Sequence, residues 1–99
     1  MNEETADNAA VETPYTLRQL NSQNHATIEK DQIEFVEQKK LGLSRFVIQI
    51  KDISSCKITP GEEGDEVLVQ RWIGNPMRIG PVDPEVAKTA VALIESLRS

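Results

Sequence analysis

Ninety-nine residues carry sixteen acidic and eleven basic side chains, a net charge of −5, with 38% of positions apolar and 4% aromatic. A chain of this length buries roughly 60–65% of the surface its unfolded form exposes, enough for one small domain and too little for a second. No stretch approaches the ~20 consecutive apolar residues of a membrane-spanning helix, and Met1 to Glu12 has neither the basic residue nor the apolar run of a secretory signal.

Cys56 is the sole cysteine, which excludes an internal disulfide and zinc-ligand spacing. A reducing, cytoplasmic location is the expectation. The charge is unevenly placed. Glu3, Glu4, Asp7 and Glu12 precede Pro14 without a base, whereas residues 17–99 hold twelve acids against eleven bases. Short of large apolar groups, residues 1–14 cannot offset their ordering entropy and read as a disordered acidic tail. Such a tail either solubilises the chain or competes for a basic partner. Residues 15–99 read as a single, nearly neutral domain.

Tyr15 and Leu17 open the first strand, which ends at the turn-rich Asn21-Ser22-Gln23-Asn24. In HATIEKDQIEFVEQ, Ala26, Ile28, Ile33 and Phe35 fall on a period of two either side of Asp31, the pattern of two strands joined by a tight turn. Phe46, Ile48 and Ile50 then alternate with Val47, Gln49 and Lys51. The phase changes near Ile53, so a bend or bulge is expected at Lys51–Ser54. PGEEGDE is a polar loop, its turns supplied by Pro60, Gly61 and Gly64.

EVLVQRWI reads as a strand with Val67, Val69 and Arg71 on one side and Leu68, Gln70 and Trp72 on the other. Gly74-Asn75-Pro76 turns the chain, and Met77 and Ile79 return it as the second arm of a hairpin. The period then changes to that of a helix. Asp83 is placed to cap it, Pro84 to begin it and Glu85 to sit in its positive first turn. Val86, Ala90, Leu93, Ile94 and Leu97 form its apolar stripe, widened by Ala87 and Val91, with Lys88, Thr89, Glu95 and Arg98 facing away.

The order defines an α+β fold: an antiparallel meander sheet or open barrel of five to seven strands, closed by one C-terminal helix. Two segments, QIEFVEQKKLGLSRFVIQIKDISSCKI with its "I-x-D-I-S-S" step and the closing strand pair plus DPEVAKTAVALIESL, resemble the small bacterial pleckstrin-homology-like (PH-like) domains over about residues 25–98. The resemblance implies a scaffold for protein–protein contact, oligomerisation or, in some eukaryotic relatives, phosphoinositide binding. It implies no catalytic residue.

No catalytic or cofactor motif stands in the sequence. His25, the sole histidine, has no sequence-local partner for general-base work and reads as a turn residue. Cys56 reads as a small core residue, with only Lys57 nearby to lower its pKa. Glu62, Glu63, Asp65 and Glu66 lack the alternating ligands and distal bidentate Glu of a calcium loop. The overall acidity and the lack of a basic stripe exclude a nucleic-acid footprint.

Two groups remain as candidate sites. Arg71, Trp72, Ile73, Met77 and Arg78 have the composition of a protein-interface core. Trp72 itself either packs into the core against Leu93 and Leu97 or, if Val67, Val69 and Arg71 face inward, stands outside. Lys39, Lys40 and Arg45 surround the Leu41-Gly42-Leu43 turn and would attract a phosphoinositide or nucleotide. The expected function is a non-enzymatic interaction or oligomerisation module for a protein partner or a second copy. A small acidic chain of this kind also suits a phage- or mobile-element-encoded inhibitor of a host protein. An anionic-ligand domain using the Lys39–Arg45 turn is the alternative.

Overall fold

The computed structural model describes residues 12–98, so only Glu12 to Pro14 of the acidic stretch expected over 1–14 fall within the described residues. Period-two segments become four antiparallel strands in chain order: β1 (Tyr15–Arg18), β2 (His25–Ile28), β3 (Gln32–Lys39) and β4 (Gly42–Gln49). A 3-10 turn over Ile50–Asp52 passes the chain to a second antiparallel sheet of β5 (Ile53–Thr59), β6 (Asp65–Arg71) and β7 (Met77–Val82). Helix α1 (Pro84–Arg98) completes an α+β fold, with seven strands at the upper end of the expected number.

Register carries the apolar residues to one face of each sheet. Ala26 lies opposite Phe35, Ile33 opposite Ile28 and Ile48, and in the second sheet Val67 opposite Ile79 and Val69 opposite Met77. All of these are buried in one cluster. A slip by one residue would turn them all to solvent, which is why the pairing is strongly specified.

The expected change of phase is present. Ile53 pairs with Arg71 but Ser55 with Gln70, leaving Ser54 as an extra residue in β5. Together with the 3-10 turn it bends the chain at the expected place. β6, however, ends at Arg71. Trp72 and Ile73, expected on the strand, stand instead in the β6–β7 connection, because the Trp72 amide donates to the Asp52 carbonyl at 3.0 Å rather than continuing the hairpin ladder. The backbone then turns through Gly74, whose φ of 106° favours a residue without Cβ.

Helix α1 begins as its sequence dictates. The Glu85 amide donates to Asp83 Oδ1 at 2.8 Å and the Ala87 amide to the Asp83 carbonyl at 2.9 Å. Ala87, Ala90, Leu93 and Ile94 are buried against the sheets, with Val86, Val91 and Leu97 partly buried beside them. Arg98 departs from the expected outward orientation. Its Nη2 donates to the Ser54 carbonyl at 2.7 Å and its Nε to the Ile53 carbonyl at 3.3 Å, fastening the last helical turn to the bulge of β5. No helix among the described residues is long and apolar enough to cross a membrane.

The Leu20 amide donates to the Pro81 carbonyl at 2.8 Å and ties the end of β1 to β7. β4, the opposite edge of the first sheet, has no strand on its outer side among the described residues. Urea unfolding tests the assignment of the core. Ile94→Ala is expected to remove about 2–5 kcal/mol, Asp83→Ala about 0.5–2 kcal/mol, and Ile73→Ala less than about 0.5 kcal/mol because its side chain is already in water. A large loss from Ile73→Ala would contradict the placement of the β6–β7 connection.

Candidate functional site

Val67 and Val69 are buried but so is Leu68, and the exposure of Trp72 follows from its place in the β6–β7 connection beyond the end of β6. Trp72 is 70% exposed and Ile73 87% exposed. Arg71 braces this connection from within. Its Nε donates to the Asn75 carbonyl at 2.9 Å, and its guanidinium carbon lies 5.3 Å from the centre of the Phe46 ring, a cation–π contact between β6 and β4. The guanidinium passes over Gly74, where an added Cβ would stand 2.5 Å from Nη2.

Of the other residues grouped with Trp72, Met77 points into the core at 2% exposure. Its alternation on β7 with exposed Arg78 explains this, since Met77 shares the inward face of Ile79. Arg78 is exposed and its Nη1 pairs with Glu66 Oε1 at 3.1 Å. The structure thus brings Arg71, Trp72 and Ile73 to one surface and keeps Met77 out of it.

The open edge β4 adds residues that the sequence reading did not assign to a site. Leu43 and Val47 are exposed on the outer face of the sheet, flanking Arg45. Phe46 lies on the opposite face beneath Arg71, partly exposed. Leu41 is fully exposed at the hairpin tip. The signal was present: Phe46 and Val47 are adjacent and both apolar, so one of them must leave the core face of a pleated strand. A long apolar edge strand of this kind is a template for pairing with another chain.

The basic turn does not converge. Lys39 Nζ lies 3.5 Å from Glu37 Oε1, and Arg45 Nη1 lies 2.7 Å from Glu34 Oε2. Because Glu34 and Glu37 are three positions apart on one strand, their partners Arg45 and Lys39 emerge on opposite faces of the sheet. Lys40 stands exposed at the tip. Three bases close in sequence are thus divided in space, two of them already paired with carboxylates.

The remaining polar candidates are held by local structure. His25 Nδ1 lies 3.3 Å from the Gln23 carbonyl at the start of β2. Glu66 faces Arg78, and Asp65 begins β6. Cys56 packs partly buried against the core, and burial, with a smaller contribution from the Glu95 carboxylate, pushes its thiol from the ordinary 9.0 up to about 12. A thiol so held is protonated at neutral pH and a poor nucleophile.

A concavity lies at the end of the fold where the sheets meet. Lys30 and Asp31 from the β2–β3 turn, Gln49 to Lys51, Ile53, Trp72, Leu97 and Arg98 enclose a cleft of about 520 Å3. That volume is within the range of small-molecule and peptide-side-chain pockets. Neither Lys30 nor Lys51 was singled out from sequence, where each is an isolated base; only the bend at Ile50–Asp52 brings them beside Trp72. Comparison with protein families, curated proteins and solved structures found no match to this chain.

The Cys56 environment has a pH consequence. The unfolded chain releases the thiol proton near pH 9.0 while the folded chain keeps it to about 12, so stability falls across that window as pH rises. Cys56→Ala is expected to flatten this part of the stability–pH curve in denaturant titrations. An unchanged slope would contradict the buried, protonated thiol.

Proposed function

We propose that this chain is a non-enzymatic protein-interaction module of pleckstrin-homology-like architecture. It contacts a protein partner or a second copy of itself through the open β4 edge and the adjoining Trp72 connection. The order of a four-stranded sheet, a three-stranded sheet and a C-terminal helix supports the architectural part of this reading. The single observation that carries the functional part is the joint exposure of Leu43, Phe46 and Val47 with Trp72 and Ile73.

Trp72, Phe46 and Arg71 are of the types enriched at interface centres, and Arg71 joins the Trp72 connection to β4 by its contact with Phe46. The edge supplies unpaired backbone donors and acceptors, so an incoming strand gains ladder hydrogen bonds as well as apolar burial. The β4 side chains then set specificity, because alternate residues meet the partner on each face. Catalysis finds little support in the polar groups, with the one thiol protonated and the one imidazole beside a backbone carbonyl.

Sedimentation velocity over a concentration series, followed by capture of partners from native lysate, tests the reading. The wild-type chain is expected to self-associate or to retain a partner. Trp72→Ala is expected to weaken that association by about 2 kcal/mol or more, as for interface anchors, and Val47→Lys to disrupt edge pairing. Neither change touches the buried core. A wild-type chain that stays monomeric at high concentration, and captures the same proteins as Trp72→Ala, would sink the proposal.

A further inference from the structure

Of the large apolar side chains exposed among the described residues, all but Leu20 lie on β4, at its hairpin tip or in the Trp72 connection. These places adjoin one another. Trp72 lines one cleft with Gln49, the last residue of β4, and with Lys51 just beyond it. An occupant of the edge that buries them all covers the strand, the tip at one end and the indole at the other.

The backbone of β4 restricts the register of such an occupant. Lys39 faces Gly42 across the two-residue Lys40-Leu41 connection, which makes the two a hydrogen-bonded pair, and the Ile50 amide bonds to Asp31 in the same register. Gly42, Ser44, Phe46 and Ile48 therefore bond to β3, while Leu43, Arg45, Val47 and Gln49 turn their amides and carbonyls outward. A second β4 running antiparallel offers the same outward residues, so the two-fold axis between the copies passes through a residue of the strand.

The choice of residue is narrow. An axis at Ser44 or Val47 leaves one end of each β4 overhanging and shortens the ladder. An axis at Arg45 sets like charges directly opposite each other, which is destabilising. An axis at Phe46 avoids both faults. It pairs Arg45 with Val47 and Leu43 with Gln49 of the second copy, and sets the two Phe46 rings against each other at the closer, non-hydrogen-bonded spacing. The guanidinium of Arg45 is already neutralised by Glu34 of its own chain.

Beyond the strand ends, the Phe46 register carries the tip of one copy to the 3-10 turn of the other, Leu41 toward Lys51 and Lys40 toward Asp52. Leu41, fully exposed in the single chain, arrives beside Trp72, whose amide is bonded to the Asp52 carbonyl. Lys40 arrives at the Asp52 carboxylate. Both side chains are exposed, and neither forms an ion pair within its own chain among the described residues. The two-fold makes this charge match twice.

We propose that the occupant of the β4 edge is a second copy of this chain, paired antiparallel about a two-fold axis at Phe46, with each Lys40-Leu41 tip seated on the Asp52 and Trp72 of the other copy. The two four-stranded sheets then form one continuous sheet. The inference rests on the interaction-module reading and supplies its partner, register and end contacts.

Single-cysteine variants of the full-length chain read the axis, because only a residue on it meets its own copy. Ser44→Cys, Arg45→Cys, Phe46→Cys and Val47→Cys are each made in a Cys56→Ala background and exposed to oxidised glutathione. Phe46→Cys is expected to form the intermolecular disulfide fastest. Sedimentation velocity reads the end contacts. Lys40→Glu and Asp52→Lys are each expected to weaken the dimer roughly two- to tenfold, the range of exposed ion pairs counted twice, and the double variant to recover it. Both positions are exposed, so neither change disturbs the core.

Fastest cross-linking at any of the other three positions would overturn the proposal, as would a double variant that dimerises no better than the single ones. A wild-type chain that stays monomeric throughout the concentration series would overturn it too. In that case capture of a lysate protein that is lost in Val47→Lys leaves the interaction module standing with another occupant. Capture that Val47→Lys and Trp72→Ala both leave intact removes the two readings together.

Discussion

Between Gln49 and Ile53 the chain leaves one sheet and enters another, and this bend decides what the protein can present to a partner. Ile50 is held into the core while its amide donates to the Asp31 carbonyl at 2.9 Å, and the Trp72 amide donates to the Asp52 carbonyl at 3.0 Å. The turn is thereby tied to the β2–β3 turn on one side and to the β6–β7 connection on the other. A hairpin in place of this bend would have returned β5 along β4 and covered its edge. Instead β5 pairs with β6, the extra residue at Ser54 re-aims it, and β4 is left open.

The same bend explains why Trp72 is outside. A hairpin of β6 and β7 continued in strict alternation would carry the indole along the sheet; its amide is claimed by Asp52, so the strand stops and the ring projects from the connection. Arg71 fills the space behind it, lying over Gly74 and against Phe46. Helix α1 completes the arrangement by covering the apolar interior with Ala87, Ala90, Leu93 and Ile94, and Arg98 locks its end to the bulge. Apolar burial makes the fold, and the hydrogen bonds at the bend decide which apolar groups are left unburied.

Much of this was legible in the residues. Local signals were strong wherever a single period ran uninterrupted, as in the Ala26–Phe35 strand pair and the Asp83-capped helix. The phase change near Ile53 located the bend. What alternation could not reach was the sheet order: nothing in Phe46 or Val47 says that β4 has no outer neighbour, because edge status is decided by β5, which pairs elsewhere. The candidate bases Lys39 and Arg45 looked like a cluster because sequence distance conceals the two faces of a strand. Lys30 and Lys51 met the reverse problem, being distant in the chain and adjacent only around the cleft. Met77 was misplaced in an interface group by composition, although its alternation with Arg78 already pointed inward.

The charge of −5 belongs mainly to residues before Pro14 and to the loop at Glu62–Glu66, while the described domain offers an apolar edge beside the exposed Trp72 connection. Hydrogen exchange resolved to single β4 amides tests the central claim most directly. The account predicts that β4 amides not bonded to β3 exchange freely in dilute protein and become protected on self-association or partner binding. Exchange that stays equally fast at those amides in the associated state, with protection arising elsewhere, would contradict it.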